Sequence, residues 1–364
     1  MSSSPDPVRV LYVSGYAEVV GGGQVSLLLL FRHLDRSRFF PILLCPREGE
    51  VARQARDLGV EVHSLGVGDC LDSLAAVGCS WLLRRRAAAL HPDIVHSDTI
   101  YTALSGGLGF ACSHTPVVFH ARTAETSRAL DRLIPMLCSR IICVSKATAH
   151  RFPIGASAKL RVIYNGVDLS EFRPRPNSTD LRGRLRIPEG AFVAGYCGQV
   201  IKEKGLQVLV RAFRRLREEF ADAVLLVAGN GRDRGLFEGM AGHGIHLLPF
   251  QNTMPEFFSA LDVFVLPTLL QEGLSRSLLE AMASGVPSIA TPLGGNAETL
   301  VDEDTGYFVP PLDDSALHKR LRDLCLDAAC RRRMGAAARE RAERVFDASA
   351  CARAVEKVYR EVAP

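Results

Sequence analysis

Absences narrow this chain before any motif does. No apolar run approaches the ~20 residues that a membrane-spanning helix requires, and the Leu27–Leu30 block is far too short. No basic-then-apolar leader opens the chain, which begins Met1-Ser2-Ser3-Ser4-Pro5-Asp6-Pro7. The ten cysteines include no Cys-x-x-Cys pair. Cys45, Cys143 and Cys197 sit inside apolar runs, where cysteine behaves as a small hydrophobe. That pattern speaks against a zinc site and for a reduced compartment. A basic stripe of the kind that binds nucleic acid is also missing. Residues 1–180 carry 20 Lys and Arg against 16 Asp and Glu, and the remainder carries 24 of each, so the net charge of +4 lies wholly in the first half. Such an excess gives only a weak pull towards an anionic acceptor or membrane surface. No Asp-x-Asp follows a strand-like run, and Asp313-Asp314 falls in a polar loop, so no metal site is expected. The expected setting is the cytoplasm, at most at the inner face of a membrane.

The 364 residues suit two domains, each able to bury its own core. In the first half, short apolar runs at Val8–Val13, Ile42–Cys45, Glu61–Leu65, Asp93–His96, Pro116–His120, Ile141–Ser145 and Leu160–Tyr164 alternate with helical stretches. Those stretches are 50–58, 72–90, 101–110 and 126–138, together with the helix that Gly21-Gly22-Gly23-Gln24 opens. After the Pro- and Arg-rich segment Arg173–Asn177 the pattern restarts with Ala191–Cys197, Ala223–Ala228, Ile245–Pro249, Val263–Pro267 and Pro287–Thr291. Strands alternating with helices indicate parallel sheets covered on both faces, with ligands at the carboxyl ends of the strands.

The most informative stretch is Gln271–Pro287, which reads as loop, helix and loop between two strands. Leu278, Leu279, Met282 and Ala283 make an apolar helical face, and Gly285 with Pro287 ends the helix. Glu272 lies in the loop before the helix, and Glu280 about two turns in, roughly 10 Å further along at ~1.5 Å per residue. That spacing suits gripping two ends of one extended polar ligand. The free N–H groups of the first turn, around Leu274, Ser275 and Arg276, form an anion site between them. Sugar-like hydroxyls flanking a phosphate match this arrangement. Elsewhere, Gly198–Gly205 holds Lys202 and Lys204 in a loop that opens a helix and suits a diphosphate. Gly21-Gly22-Gly23 lets backbone N–H groups approach a phosphate or sugar.

The Gln271–Pro287 stretch resembles the Glu-x7-Glu motif of retaining GT-B glycosyltransferases of family four, almost without gaps. The resemblance implies two Rossmann-like doubly wound α/β domains facing a cleft. Residues 1–175 would form the acceptor-side domain and 176–345 the nucleotide-sugar domain, with 346–364 a helix packing back on the first. It implies transfer of a sugar from a nucleotide-diphosphate sugar to a hydroxyl of a glycan, glycolipid or small molecule, the work of cell-envelope polysaccharide synthesis, with no cofactor and no metal. Glu280 is then expected to bond the ribose hydroxyls and Glu272 the sugar. Lys204, Lys202 and the backbone of Leu274–Arg276 take the diphosphate. Gly22, Gly23 and Gly229 approach the donor, and His120 lines the face where the acceptor attacks. His96 and Arg122 are expected on the same acceptor-side rim. Ser145-Lys146, Asn165–Asp168 and Gly294–Glu298 also match family patterns. Two departures stand out: Gln199 replaces the usual Arg of the phosphate loop, and Gln251 replaces a common Gly in Leu248–Asn252. The expected partners are a nucleotide-sugar, a glycan or lipid-linked acceptor and weak peripheral membrane contact, but no nucleic acid. Two other readings share the architecture: a nucleotide-sugar epimerase, and a binding protein that has lost catalysis.

Overall fold

The computed structural model describes residues 6–67, 74–124, 127–175, 179–248 and 254–363. Pro249–Asn252 of the base-side loop and the Pro176-Asn177 end of the expected linker lie outside them. Two compact units form, one from residues 1–166 with 348–364, the other from 167–347.

In the first unit the strands are β1 (Val8–Val13), β2 (Phe39–Cys45), β3 (Glu61–Ser64), β4 (Ile94–Ser97), β5 (Val117–Ala121), β6 (Arg140–Cys143) and β7 (Leu160–Val162). They make one sheet in the order β3-β2-β1-β4-β5-β6-β7, and each neighbouring pair is parallel. Alternation along each strand sorts side chains onto two faces. Leu11, Val13, Val95, Phe119 and Ile141 join helices Ser80–Ala88, Ile100–Phe110 and Arg128–Leu137 in one core. Val10, Tyr12, Ile94, Val118 and Ile142 join helices Gly22–His33 and Glu50–Asp57 in the other. The last helix, Ala348–Val362, belongs to this second layer through Ala352, Val355, Val358 and Tyr359. Its Glu356 carboxylate accepts the Asp35 N–H at 2.8 Å, and Glu361 pairs with Arg140 and Arg161.

The second unit contains β8 (Val193–Cys197), β9 (Val224–Ala228), β10 (Ile245–Leu248), β11 (Val263–Leu266), β12 (Ser288–Ala290) and β13 (Gly306–Phe308), in the order β10-β9-β8-β11-β12-β13. All its pairings are parallel too. Helix Leu206–Glu219 packs on Asp314–Leu326, and helix Arg276–Ala283 on Ala328–Val345. β13 is absent from the sequence reading because three residues beginning with glycine are too short to show an apolar run.

The division falls after Gly166 and not at the Pro- and Arg-rich segment expected to hold it near residue 175. The Val167 N–H donates to the Phe346 carbonyl at 2.7 Å, and Arg339 Nη1 binds the carbonyls of Phe172 and Ala283. These bonds tie residues 167–172 to the second unit. The same bridge carries that unit to Asp347, so the closing helix starts at Ala348 and not at 346.

Both sheets reverse direction of winding beside their first strand, between β1 and β4 and between β8 and β11. In open α/β sheets the crevice at that switch, at the carboxyl ends of the strands, is where ligands bind.

Candidate active site

At the switch of the second unit, four loops are locked together by their backbones. The Gly198 N–H donates to Ala228, Val200 to Asn230, and Leu269 to Glu203. Gly205, at φ 72°, touches the Pro267 carbonyl so closely that a Cβ would collide with it. Gly294, at φ 60°, does the same against Glu272, whose carbonyl accepts the Gly295 N–H at 2.8 Å. The phosphate loop, the Glu272 loop and the Gly294–Glu298 loop are thus held in one fixed cluster. Gly229 lies against Gly198, with its carbonyl held by Arg234 Nη1 at 2.5 Å. Arg234 carries no motif signal; it braces the loop after β9 against the end of β10 through the Leu248 carbonyl at 3.1 Å.

Within that cluster each glutamate meets one cation. Lys204 Nζ donates to Glu272 Oε1 at 2.5 Å, with side chains 18% and 16% exposed. Arg276 Nη2 donates to Glu280 Oε1 at 3.0 Å, with both side chains about nine-tenths buried. Burial pushes the Glu280 carboxyl up from its ordinary value, Arg276 opposes the rise, and Glu171 adds to it. Leu274 is buried, while Ser275 Oγ meets Ser277 Oγ at 3.0 Å and caps no backbone N–H. The helix begins at Arg276, so Glu280 stands about one turn in, not two. The loop Gly273–Ser275 is longer than the apolar pattern suggests. At its far end the helix stops as expected. Gly285, at φ 73°, donates to Met282, and Val286 donates to Ala281, the paired bonds of a Schellman cap.

Lys202 and Gln199 lie exposed in the phosphate loop. The Gln199 backbone carbonyl accepts the Tyr196 hydroxyl at 2.7 Å. The Lys202 N–H is held by Asp233 at 2.8 Å, and its ammonium makes no ion pair among the described residues. Asp313 caps the helix at Asp314 through the Ala316 N–H, and Asp314 pairs with Arg211 and Arg215, so both carboxylates serve the fold.

The first unit gathers a second polar cluster at the ends of β1, β4 and β5. Helix Gly22–His33 starts there with no side-chain cap, and Gly23 lies against the Arg122 side chain. His120 is buried on the face covered by the first and last helices. With Ser26, Arg122 and Asn165 it lines a cavity of about 20 Å³, enough for roughly one water molecule. Arg122 Nη2 donates to His120 Nδ1 at 3.2 Å. A guanidinium can only donate, so Nδ1 carries the lone pair and Nε2 the proton. Burial above all, with Arg122 and His96 adding, holds His120 well below the usual imidazole range.

His96 is corrected from rim to core. In register with Tyr12 and Val118 it points under the helical layer, fully buried. The Tyr359 hydroxyl donates to the Tyr12 hydroxyl (3.0 Å), and its oxygen meets His96 Nδ1 at 2.8 Å. The Tyr12, Tyr359 and His120 rings surround it at 4.9–5.8 Å. Asp98 is the residue that sequence reasoning missed. It follows β4, accepts the Ser14 hydroxyl at 3.0 Å and the Gly15 N–H at 3.1 Å, and is pushed up to about 6 by burial. A lone Asp after His96-Ser97 has no motif around it, and only its place beside the β1–β4 switch marks it.

Two all-parallel units of this strand order, with charged loops at their switch points, define the GT-B class of glycosyltransferase architecture. Anabaena HepE in complex with UDP has the same fold, with a TM-score of 0.83 at 17% identity over 97% of this chain and 100% of that one. The model described as Glycosyl transferases group 1 matches residues 177–341, and the Glycosyltransferase Family 4 model matches residues 20–171. The capsular polysaccharide biosynthesis glycosyltransferase CapM of Staphylococcus aureus is 26% identical over 292 residues, 74% of this chain and 76% of CapM. The UDP-Gal:alpha-D-GlcNAc-diphosphoundecaprenol alpha-1,3-galactosyltransferase of Escherichia coli is 25% identical over 342 residues, 85% and 86% of the two chains.

Proposed function

We propose that this protein is a retaining glycosyltransferase. It moves a sugar from a nucleoside diphosphate sugar to a hydroxyl of a glycan or lipid-linked acceptor, independently of metal. The observation that carries this reading is the paired arrangement Lys204–Glu272 and Arg276–Glu280 at the β8–β11 switch. Two carboxylates and two cations, nearly dry and held by interlocked backbone, match a ligand that alternates hydroxyls with phosphate. Glu280, nearly buried, takes the ribose hydroxyls. Lys204 and the N–H groups around Leu274–Arg276 take the diphosphate, which frees Glu272 for hydroxyls of the sugar.

The reaction breaks the bond between the anomeric carbon and the diphosphate oxygen and forms a bond from that carbon to the acceptor oxygen on the same face. The acceptor proton passes to the departing phosphate. No protein nucleophile takes part, so the protein's contribution is positioning and stabilising charge on the leaving group. His120, neutral at pH 7 with its proton on Nε2, serves the acceptor side as a hydrogen-bonding group and not as a cation. Arg122 fixes that tautomer. The E. coli relative's lipid-diphosphate-linked acceptor and the setting named for CapM support an acceptor from cell-envelope synthesis.

The test is product analysis with UDP-, GDP- and ADP-sugars in EDTA, reading the anomeric configuration of the product by proton NMR. Transfer with the donor's configuration kept supports the proposal. An inverted product, an epimerised sugar without transfer, or an absolute need for a divalent cation overturns it.

A further inference from the structure

We infer that the outer face of the layer formed by helices Ser80–Ala88, Ile100–Phe110 and Arg128–Leu137 is a docking surface for anionic lipid headgroups. Three observations meet there.

The first is exposed apolar bulk. Each helix buries one side in the core, through Leu83 and Ala87, Ala103 and Leu104, and Ile134. Each also leaves large apolar side chains in water. Trp81 is 69% exposed and Met136 78%, with Leu108 and Leu133 also exposed. These belong together. Gly109 packs against Ser80 and Arg84, and Gly107 against Leu137, so the end of the central helix joins the other two. A shallow groove beside Met136, lined by Phe110, His114 and Pro116, continues the surface.

The second is charge of one sign. Arg85 and Arg86 stand exposed beside Trp81, with Arg128 and Arg132 on the third helix. Among the described residues from 74 to 160 the only acids are Asp93, Asp98 and Asp131. Asp93 accepts the Arg9 N–H at 2.7 Å, Asp98 is buried, and Asp131 is buried against Arg151 at 2.7 Å. Among the described residues from 74 to 160, no exposed carboxylate offsets the arginines. A basic face alone is commonly just solvated, and scattered apolar side chains alone are ordinary. Together, with arginines on the same helices as the apolar groups, they match the headgroup and acyl boundary of an anionic bilayer.

The third is the stacking of the Arg85 guanidinium over the Trp81 ring, at 5.5 Å. This pair presents a flat amphipathic plate of the kind that settles at a membrane interface. Among the described residues no helix is long and apolar enough to cross a membrane, so the contact proposed is peripheral. It stands independently of the catalytic reading, since it uses none of those residues and needs no donor.

Trp81 is the only tryptophan in the chain, so the native protein reports on its own docking. Full-length protein is mixed with vesicles of phosphatidylcholine alone or of phosphatidylcholine with phosphatidylglycerol. Anionic vesicles should shift the tryptophan emission to the blue and make it quenchable by brominated acyl chains. Neutral vesicles should leave it unchanged, and high salt should reverse the shift. Arg86→Glu with Arg132→Glu should lower the vesicle-bound fraction at least tenfold in sedimentation, with the far-ultraviolet spectrum and melting temperature unchanged. Emission that stays water-like with anionic vesicles overturns the proposal. So does a blue shift that follows protein concentration without lipid, which would make the face a self-association surface. Binding equal on neutral and anionic vesicles would contradict the charge argument.

Discussion

Asp98 holds its carboxyl where water does not reach, and the consequence is a pH dependence of definite sign. Its folded value, about 6, lies above the ordinary carboxylate value, so the folded state binds the proton more tightly than the unfolded one. Stability contributed by this group is present below about pH 4 and is lost as pH rises through about 6, roughly 3 kcal/mol for a shift of this size. His96 and His120 act oppositely. Both are held well below the imidazole range, so their contribution is present above about pH 6.5 and is lost on acidification. Comparing Asp98→Asn with wild type isolates the aspartate. In denaturant unfolding the variant should gain on wild type between pH 4.5 and pH 7.5, and a difference that stays constant would deny Asp98 the shift. At the other switch, Glu280→Gln should raise the donor KM and lower kcat/KM by about 1.5–3 kcal/mol, the range for a charged hydrogen bond. Glu272→Gln should depress kcat more, because on the proposed reading it holds the reacting sugar. Steady-state kinetics of the pair check this, and wild-type values in both would reduce the motif to helix composition. Glu272, Glu280 and Lys204 stand out in the sequence because a motif frames them, and His120 only through the resemblance. Asp98 does not, since its importance comes from a neighbour strand 84 residues away in the chain.

Among the elements, the loop Gly198–Gly205 is where this chain departs from the pattern it resembles. Negative charge on the diphosphate grows as the glycosidic bond breaks, and Gln199 brings no cation to meet it. Lys204 already serves the diphosphate in the proposed reading and Arg276 is engaged by Glu280, which leaves Lys202, exposed in the same short 3-10 turn as Lys204, as the cation of that loop to make up the difference. Lys202→Ala should therefore lower kcat/KM at least tenfold, about 1.4 kcal/mol of transition-state binding. Adding Gln199→Arg should restore much of that loss, so the two changes would be strongly non-additive in a double-mutant cycle. Unchanged activity in Lys202→Ala would rule out the compensation. A Gln199→Arg gain of equal size with and without Lys202 would mean that the charge was never replaced. The elements themselves were largely legible, because buried parallel strands leave continuous apolar runs. What the pattern missed has physical causes. β13 has three residues, and the helix after Glu272 starts late because Gly273–Ser275 are loop despite the apolar Leu274.

At the scale of the whole molecule, the end of the chain completes the first unit. Tyr359 carries its hydroxyl between Tyr12 and His96, so Tyr359→Phe leaves two buried polar groups short of a partner. The expected loss is about 1–3 kcal/mol of stability, read as a lower melting temperature, and an unchanged one would show that the contact contributes nothing. Two halves of similar strand order, one closed by the last helix, could be expected from the alternation and the resemblance. The division after Gly166 could not, because it rests on backbone bonds between Val167 and Phe346. The central claim is that the paired glutamates of the second unit hold a nucleotide-sugar through its ribose and diphosphate. Isothermal titration of UDP-, GDP- and ADP-sugars in EDTA, on wild type, Glu280→Gln and Lys204→Ala, tests it most directly. At least one donor should bind wild type without metal, and each substitution should weaken that donor at least tenfold while the fold is kept. Binding of equal strength in all three proteins, or no binding of any donor without metal, would contradict it.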